Sequence, residues 1–278
     1  MKWQNLRRSQ NVVDHRGSGS GLRRGGLSLG GLVVVLLGSW ALGLNPLTVL
    51  SALEGSGSLS SPPAQHRQNT ADQGSDFVRA ILGDLEDTWS TQLLPNRYQA
   101  AKLVLFSGST ASACGYASAA MGPFYCPSNQ QVYLDLDFFR DLRTRYDAGG
   151  DFAEAYVIAH EVGHHVQTLL GTSQAVRQQQ ARLNPTEANQ WSVRLELQAD
   201  CYAGLWGHYA NQRQLLDAGD LNEALKTAAE IGDDRLQKRS QGYVVPESFT
   251  HGSAAQRQQW FERGFRSGKL NECDTFAS

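Results

Sequence analysis

Apolar residues recur every four positions at Phe77, Ile81, Leu85 and Trp89, and the run stops at Pro95, so a helix is predicted over 75–94. Leu103-Val104-Leu105-Phe106 is a continuous apolar run of strand length. Residues 131–137 alternate apolar and polar positions, the pattern of a strand with one solvated face. A short helix is expected over 138–146, before the break at Gly149-Gly150. In the next helix Asp151 stands as N-cap with Glu154 three residues on. Phe152, Ala155, Tyr156, Ala159, Val162 and Val166 form its buried stripe, and Gly171 suits the position just past its end. Asn184-Pro185-Thr186-Glu187 opens a helix expected to reach about Ala210, and Asp220-x-x-Glu223 and Ser253-x-x-Gln256 open two more. The patterning predicts a mainly helical α+β domain with a small β-sheet.

One stretch breaks this rhythm. No residue from 25 to 53 is charged, and Leu32-Val33-Val34-Val35-Leu36-Leu37 lies inside that run. A bilayer needs about 20 such residues, so one transmembrane helix is expected over 25–50. Residues 1–24 hold Lys2, Arg7, Arg8, Arg16, Arg23 and Arg24 against Asp14 alone, and read as a cytoplasmic basic head. Residues 51–73 are rich in Gly, Ser and Pro and read as a flexible linker, with the folded domain over 74–278. The expected location is the inner (cytoplasmic) membrane, single-pass, with the lipid bilayer as a partner and the C-terminal domain periplasmic. A cleaved signal peptide is the alternative.

The chain has 278 residues, 41% hydrophobic and 19% charged, with a net charge of −2. This excludes a disordered polyelectrolyte, and the acidic balance after the head argues against a nucleic-acid partner. All four cysteines lie beyond the expected span. Three pairings are open to them. Gly115, Gly122 and Pro123 suit a local Cys114–Cys126 bridge, which leaves Cys201 and Cys273 to pin the tail; four reduced thiols are the alternative. No CxxC is present, and the absence of G-x-S-x-G argues against a serine hydrolase.

The chemistry sits in His160-Glu161-Val162-Gly163-His164. Residues four apart on a helix share a face, so two imidazoles can bind one Zn²⁺ while Glu161 takes a proton from water. Leu195-Glu196-Leu197-Gln198-Ala199-Asp200 supplies E-x-x-x-D on a second helix. Glu196 is assigned as third ligand and Asp200 as the group that orients a ligand histidine. No Gly and His follow His164 at metzincin spacing. His165 points about 100° away from His164 and is assigned to packing or solvent; His208 is assigned a structural role. His251 is the candidate donor to a tetrahedral oxyanion, with Tyr243 behind it.

These residues, taken with longer motifs, resemble the bacterial putative neutral zinc metallopeptidase family, the YpfJ-like proteins. The likeness begins at Met1-Lys2-Trp3 and Asn11-Val12-Val13-Asp14-His15-Arg16-Gly17. It continues through Ser112-Ala113-Cys114-Gly115 and Gly122-Pro123-Phe124-Tyr125-Cys126-Pro127, then the two metal-site helices, Ser248-Phe249-Thr250-His251-Gly252-Ser253 and Gln256-Arg257-x-x-Trp260-Phe261. Tyr98-Gln99-Ala100-Ala101 departs from it by lacking an expected proline. The resemblance implies a zincin-like domain, zinc as cofactor and a peptide or protein substrate. The expectation is thus a membrane-anchored zinc peptidase with Glu161 as general base and an extended substrate on the edge of 132–137. A non-catalytic, zinc-stabilised envelope interaction module is the alternative.

Overall fold

The computed structural model describes residues 1–16 and 72–277. Strand β1 (Val12–Asp14) is followed by α1 (Gln73–Thr88), which a π-helical turn, Trp89–Leu93, extends. Next come β2 (Lys102–Phe106), the hairpin β3 (Ser109–Ser112) and β4 (Gly115–Ser118), β5 (Phe124–Cys126) and β6 (Gln131–Asp135). The helices α2 (Asp137–Arg145), α3 (Asp151–Leu169), α4 (Thr172–Gln180), α5 (Pro185–Gln212), α6 (Asp220–Glu230), α7 (Asp233–Gln241) and α8 (Ala254–Ser267) complete the domain.

Four strands form one sheet in the order β1-β2-β6-β5, and β3 pairs with β4 in a second. β1, β2 and β6 are parallel, with Val12 beside Leu103 and Leu103 beside Val132; β5 runs antiparallel to β6. Leu103, Leu105, Val132 and Leu134 pack into the main core, which α1, α3 and α5 also fill. On the other face Val104, Phe106, Cys126 and Tyr133 make a smaller cluster. Both faces of β6 are thus covered, and the expected half-exposed strand is corrected. Its polar alternates are used internally: Tyr133 stacks on Phe124 with ring centroids 4.8 Å apart, and Asp135 accepts from Gly108 N at 2.8 Å and Asp137 N at 3.0 Å.

Helix starts follow local chemistry where the cap is self-contained. Asn184 with Glu187, and Ser253 with Gln256, form complete capping boxes. Asp151 is not a cap. Gly150, at φ 126°, precedes α3, and the Phe152 N–H is capped from outside by Glu223 Oε2 at 3.2 Å. Asp151 instead accepts from Trp3 Nε1 at 3.1 Å. A Cβ at Gly150 would overlap the Glu223 carboxylate, so only glycine admits this cap.

The N-terminal residues belong to this domain. Trp3 is buried edge-on against Phe77, and Lys2 N donates to Leu215 O at 2.7 Å. Arg7 and Arg8, read from sequence as a topology signal, are ion-pair partners of α1: Arg7 with Glu86 and Asp87, Arg8 with Asp76. β1 and β2 hydrogen-bond in one sheet, so residues 1–16 lie in the same compartment as the domain that follows Asp72. No helix among the described residues is long and apolar enough to cross a membrane. The expectations of a transmembrane helix, an inner-membrane location and a periplasmic domain facing a cytoplasmic head are therefore corrected. The segment 25–50 itself, the rest of the head and most of the expected linker lie outside the described residues.

Two disulfides are present, Cys114–Cys126 and Cys201–Cys273. The first ties the β3–β4 hairpin to β5. The second ties the middle of α5 to the C-terminal tail, a loop closure over 72 residues.

Candidate metal centre

Helices α3 and α5 pack face to face at the middle of the core and carry the sequence-derived residues on their facing sides. His160, Glu161 and His164 come from α3, and Glu196 and Asp200 from α5. His160 Nε2 lies 3.1 Å from Glu196 Oε2, and His164 Nε2 lies 3.4 Å from Glu196 Oε1. One donor atom from each of these three residues falls within 4.8 Å of the others.

The outer nitrogens explain why the inner ones converge. His160 Nδ1 faces Asp200 Oδ1 at 2.8 Å, and His164 Nδ1 faces Gln167 Oε1 at 2.9 Å. Both partners are acceptors, so each ring donates its Nδ1–H to them and turns Nε2 toward Glu196. Gln167 is fully buried and anchored by donating to Leu195 O at 2.6 Å and Gln198 Oε1 at 3.1 Å.

Asp200 is the hub of a buried network. It accepts from Tyr156 Oη at 2.6 Å and from Arg257, of α8, through Nε at 2.8 Å and Nη2 at 2.9 Å. Burial opposes its ionisation, but Arg257 and His160 outweigh it and hold the carboxyl at about 2. Burial also opposes charging His160, yet Asp200 and Glu196 lift it to about 10. Glu196 is held well below the ordinary range by the two imidazoles, against its burial. Glu161 is the exception: burial raises it, and the two histidines offset only part of that.

The donor set fits zinc. Two imidazole nitrogens and a carboxylate oxygen are a recognised Zn²⁺ ligand set, and a tetrahedron with bonds of about 2.0–2.1 Å has edges of about 3.3 Å. Each imidazole lies about that far from one oxygen of Glu196, His160 from Oε2 and His164 from Oε1. Charge agrees. With both imidazoles neutral, as metal ligands must be, Glu161, Glu196 and Asp200 face one guanidinium, Arg257, and a divalent cation would neutralise the surplus negative charge.

A cavity of about 670 Å³ is bounded by His160, Glu161, His164 and Glu196 together with β5 and α4. His251 borders it, with Nδ1 held by Asp233 Oδ1 at 3.2 Å and Nε2 left as the open nitrogen. Tyr243 is exposed and is not among the residues bounding the cavity. His165 is buried between Tyr125 Oη at 3.1 Å and Gln99 O at 2.6 Å; His208 packs on α8 through Phe265 O at 2.8 Å. Sequence reasoning placed none of Tyr156, Gln167, Asp233 and Arg257 at this site, and gave Tyr156 only a packing role in the buried stripe. Tyr156 and Gln167 stand four residues before His160 and three after His164, so helical spacing alone could have found them.

A family model described as putative neutral zinc metallopeptidase matches residues 1–276. The chain is 46% identical over 294 aligned positions to the protein YpfJ of Escherichia coli K12, covering 99% of both chains. It is 45% identical over 212 positions to the protein Rv2575 of Mycobacterium tuberculosis, covering 72% of this chain and 70% of that one. No solved structure matches it. With this coverage the chain belongs to the putative neutral zinc metallopeptidase family.

Proposed function

We propose that the protein hydrolyses peptide bonds, with zinc held by His160, His164 and Glu196. The observation that carries this reading is the convergence of two Nε2 atoms on Glu196, with Glu161 beside them on an open cavity. When bound, zinc would supply a Lewis acid that acidifies water and polarises the scissile carbonyl. Glu161 takes the proton from the attacking water and delivers it to the leaving amine; its raised pKa suits both halves of that transfer. Asp200, buttressed by Arg257 and Tyr156, keeps His160 in the ligating tautomer. His251, steadied by Asp233, offers Nε2 to the developing oxyanion. A closed structural site has less support, because Glu161 stands outside the donor group and the cavity reaches it.

The expected substrate edge needs correction. β6 lies between β2 and β5, so its Val132–Tyr133 backbone is already paired. β5 is the edge strand, and residues 119–125 border the cavity. An extended peptide would add beside β5.

The test is the zinc content and peptide turnover of three proteins. Wild type is expected to hold about one zinc per chain and to cleave. Glu161→Gln should keep the metal and lose turnover by at least a hundredfold. Glu196→Ala should lose both. Full turnover in Glu161→Gln would remove the assignment.

A further inference from the structure

Among the described residues three guanidinium groups border the cavity: Arg145, Arg177 and Arg257. Two are committed. Arg257 is buried against Asp200, and Arg145 donates to Asp141 Oδ2 at 3.1 Å on the same helix. Arg177, on α4, is exposed, and its guanidinium makes no hydrogen bond or ion pair among the described residues. The acids among the described residues that border the cavity are also accounted for, since Glu161 and Glu196 belong to the candidate metal centre and Asp141 is paired. Arg177 is close enough to Tyr125 of β5 for its charge to oppose the burial that raises that phenol. It therefore stands beside the edge strand on which an extended peptide would lie, with apolar Val176 and Phe124 also on the cavity wall.

We propose that Arg177 is a specificity-determining residue that binds a carboxylate of the peptide substrate. The carboxylate comes from an Asp or Glu side chain or from a free C-terminus. A guanidinium presents paired N–H groups in the geometry of a carboxylate, and a cation left unpaired at a cleft has its donors available for it. Because Arg177 is exposed, the preference is modest, about three- to tenfold, and falls as salt rises. The inference rests on the zinc peptidase reading above.

The test uses the full-length, zinc-loaded protein and internally quenched peptides. Each position in turn is Ala, Asp, Glu or Lys, and each peptide is made as free acid and as C-terminal amide. The readout is the ratio of kcat/KM for carboxylate-bearing over neutral peptides. Wild type should favour the carboxylate about three- to tenfold, Arg177→Ala should bring the ratio near one, and Arg177→Glu should invert it toward Lys. A preference present in both acid and amide series identifies a side-chain carboxylate; one confined to the free acids identifies the C-terminus. A parallel binding measurement by fluorescence anisotropy, with Glu161→Gln and Glu161→Gln/Arg177→Ala proteins, should show the same selective loss of affinity. Cleavage with no carboxylate preference, or a preference that survives Arg177→Ala, overturns the proposal and leaves the peptidase reading standing. No cleavage of any peptide by zinc-loaded wild type overturns both.

Discussion

Asp233 shows how one side chain can hold a loop at the border of the cavity. Its Oδ2 accepts the N–H groups of Thr250 and His251, each at 2.7 Å, and of Gly252 at 3.1 Å, while Oδ1 meets the His251 ring. Burial pushes its carboxyl up, but His251 and the backbone donors outweigh burial and hold it below the usual value. A carboxyl lowered by folding adds stability above its unfolded pKa of about 3.9, and that stability is lost as pH falls through the folded value. Asp233→Asn should therefore lower stability by roughly 1–3 kcal/mol at pH 7. The gap to wild type should narrow near pH 3, as melting temperatures at the two values would show. At this scale the sequence was most legible where placement depends on spacing along one helix. His160, His164, Glu196 and Asp200 could be placed because four residues return a helix to the same face. Asp233 and Arg257 could not, because they reach the site from other helices, and no local pattern announces such a contact.

Elements pack by rules that local propensity does not contain. Gly204 of α5 and Gly264 of α8 let two helix backbones touch: a Cβ at Gly204 would overlap Phe261 O, and one at Gly264 would overlap Cys201 O. In an isolated helix Gly→Ala gains up to about 1 kcal/mol. Here overlap with a neighbouring backbone outweighs that gain, and Gly204→Ala should cost about 1–3 kcal/mol, read from the denaturant midpoint. Because α8 carries Arg257, the same change should weaken zinc binding in a chelator competition. Helix starts with self-contained capping boxes, at Asn184 and Ser253, were readable from four residues. Asp151 misled because its carboxylate is taken by Trp3, 148 residues away in sequence, and Glu223 serves the helix in its place. β1 and β5, three residues each, carry too little pattern to stand out, and the parallel order of β1, β2 and β6 is a long-range choice.

The whole molecule is held at both ends. Residues 1–16 supply an edge strand and Trp3 to the core; the tail is fastened to α5 by Cys201–Cys273, and Gln198 donates to Cys273 O at 3.0 Å. Gln198 also accepts from Gln167, whose Oε1 meets His164 Nδ1, so the tail reaches the candidate metal centre through two amides. Basic residues near the N-terminus and a long uncharged stretch invited a topological interpretation. The pairing of β1 with β2 overrules it, because hydrogen-bonded strands share a compartment.

The chain leaves this domain at Arg16 and re-enters it at Asp72, and these two side chains touch, Nη1 to Oδ2 at 2.7 Å. The 55 residues between them are therefore a detour with almost no net displacement. For a flexible chain, closing a loop between two adjacent points costs free energy that grows only logarithmically, about 0.6 kcal/mol per doubling of length. Replacing 17–71 with a Gly/Ser connection of about 14 residues should raise stability by roughly 1 kcal/mol, or about 2–4 °C in melting temperature, with zinc content unchanged. A fall of similar size would show that the detour holds the domain together. If the rise is seen, insertions and deletions can accumulate between Arg16 and Asp72 at little energetic cost, and the protein can change its length there while its chemistry stays fixed.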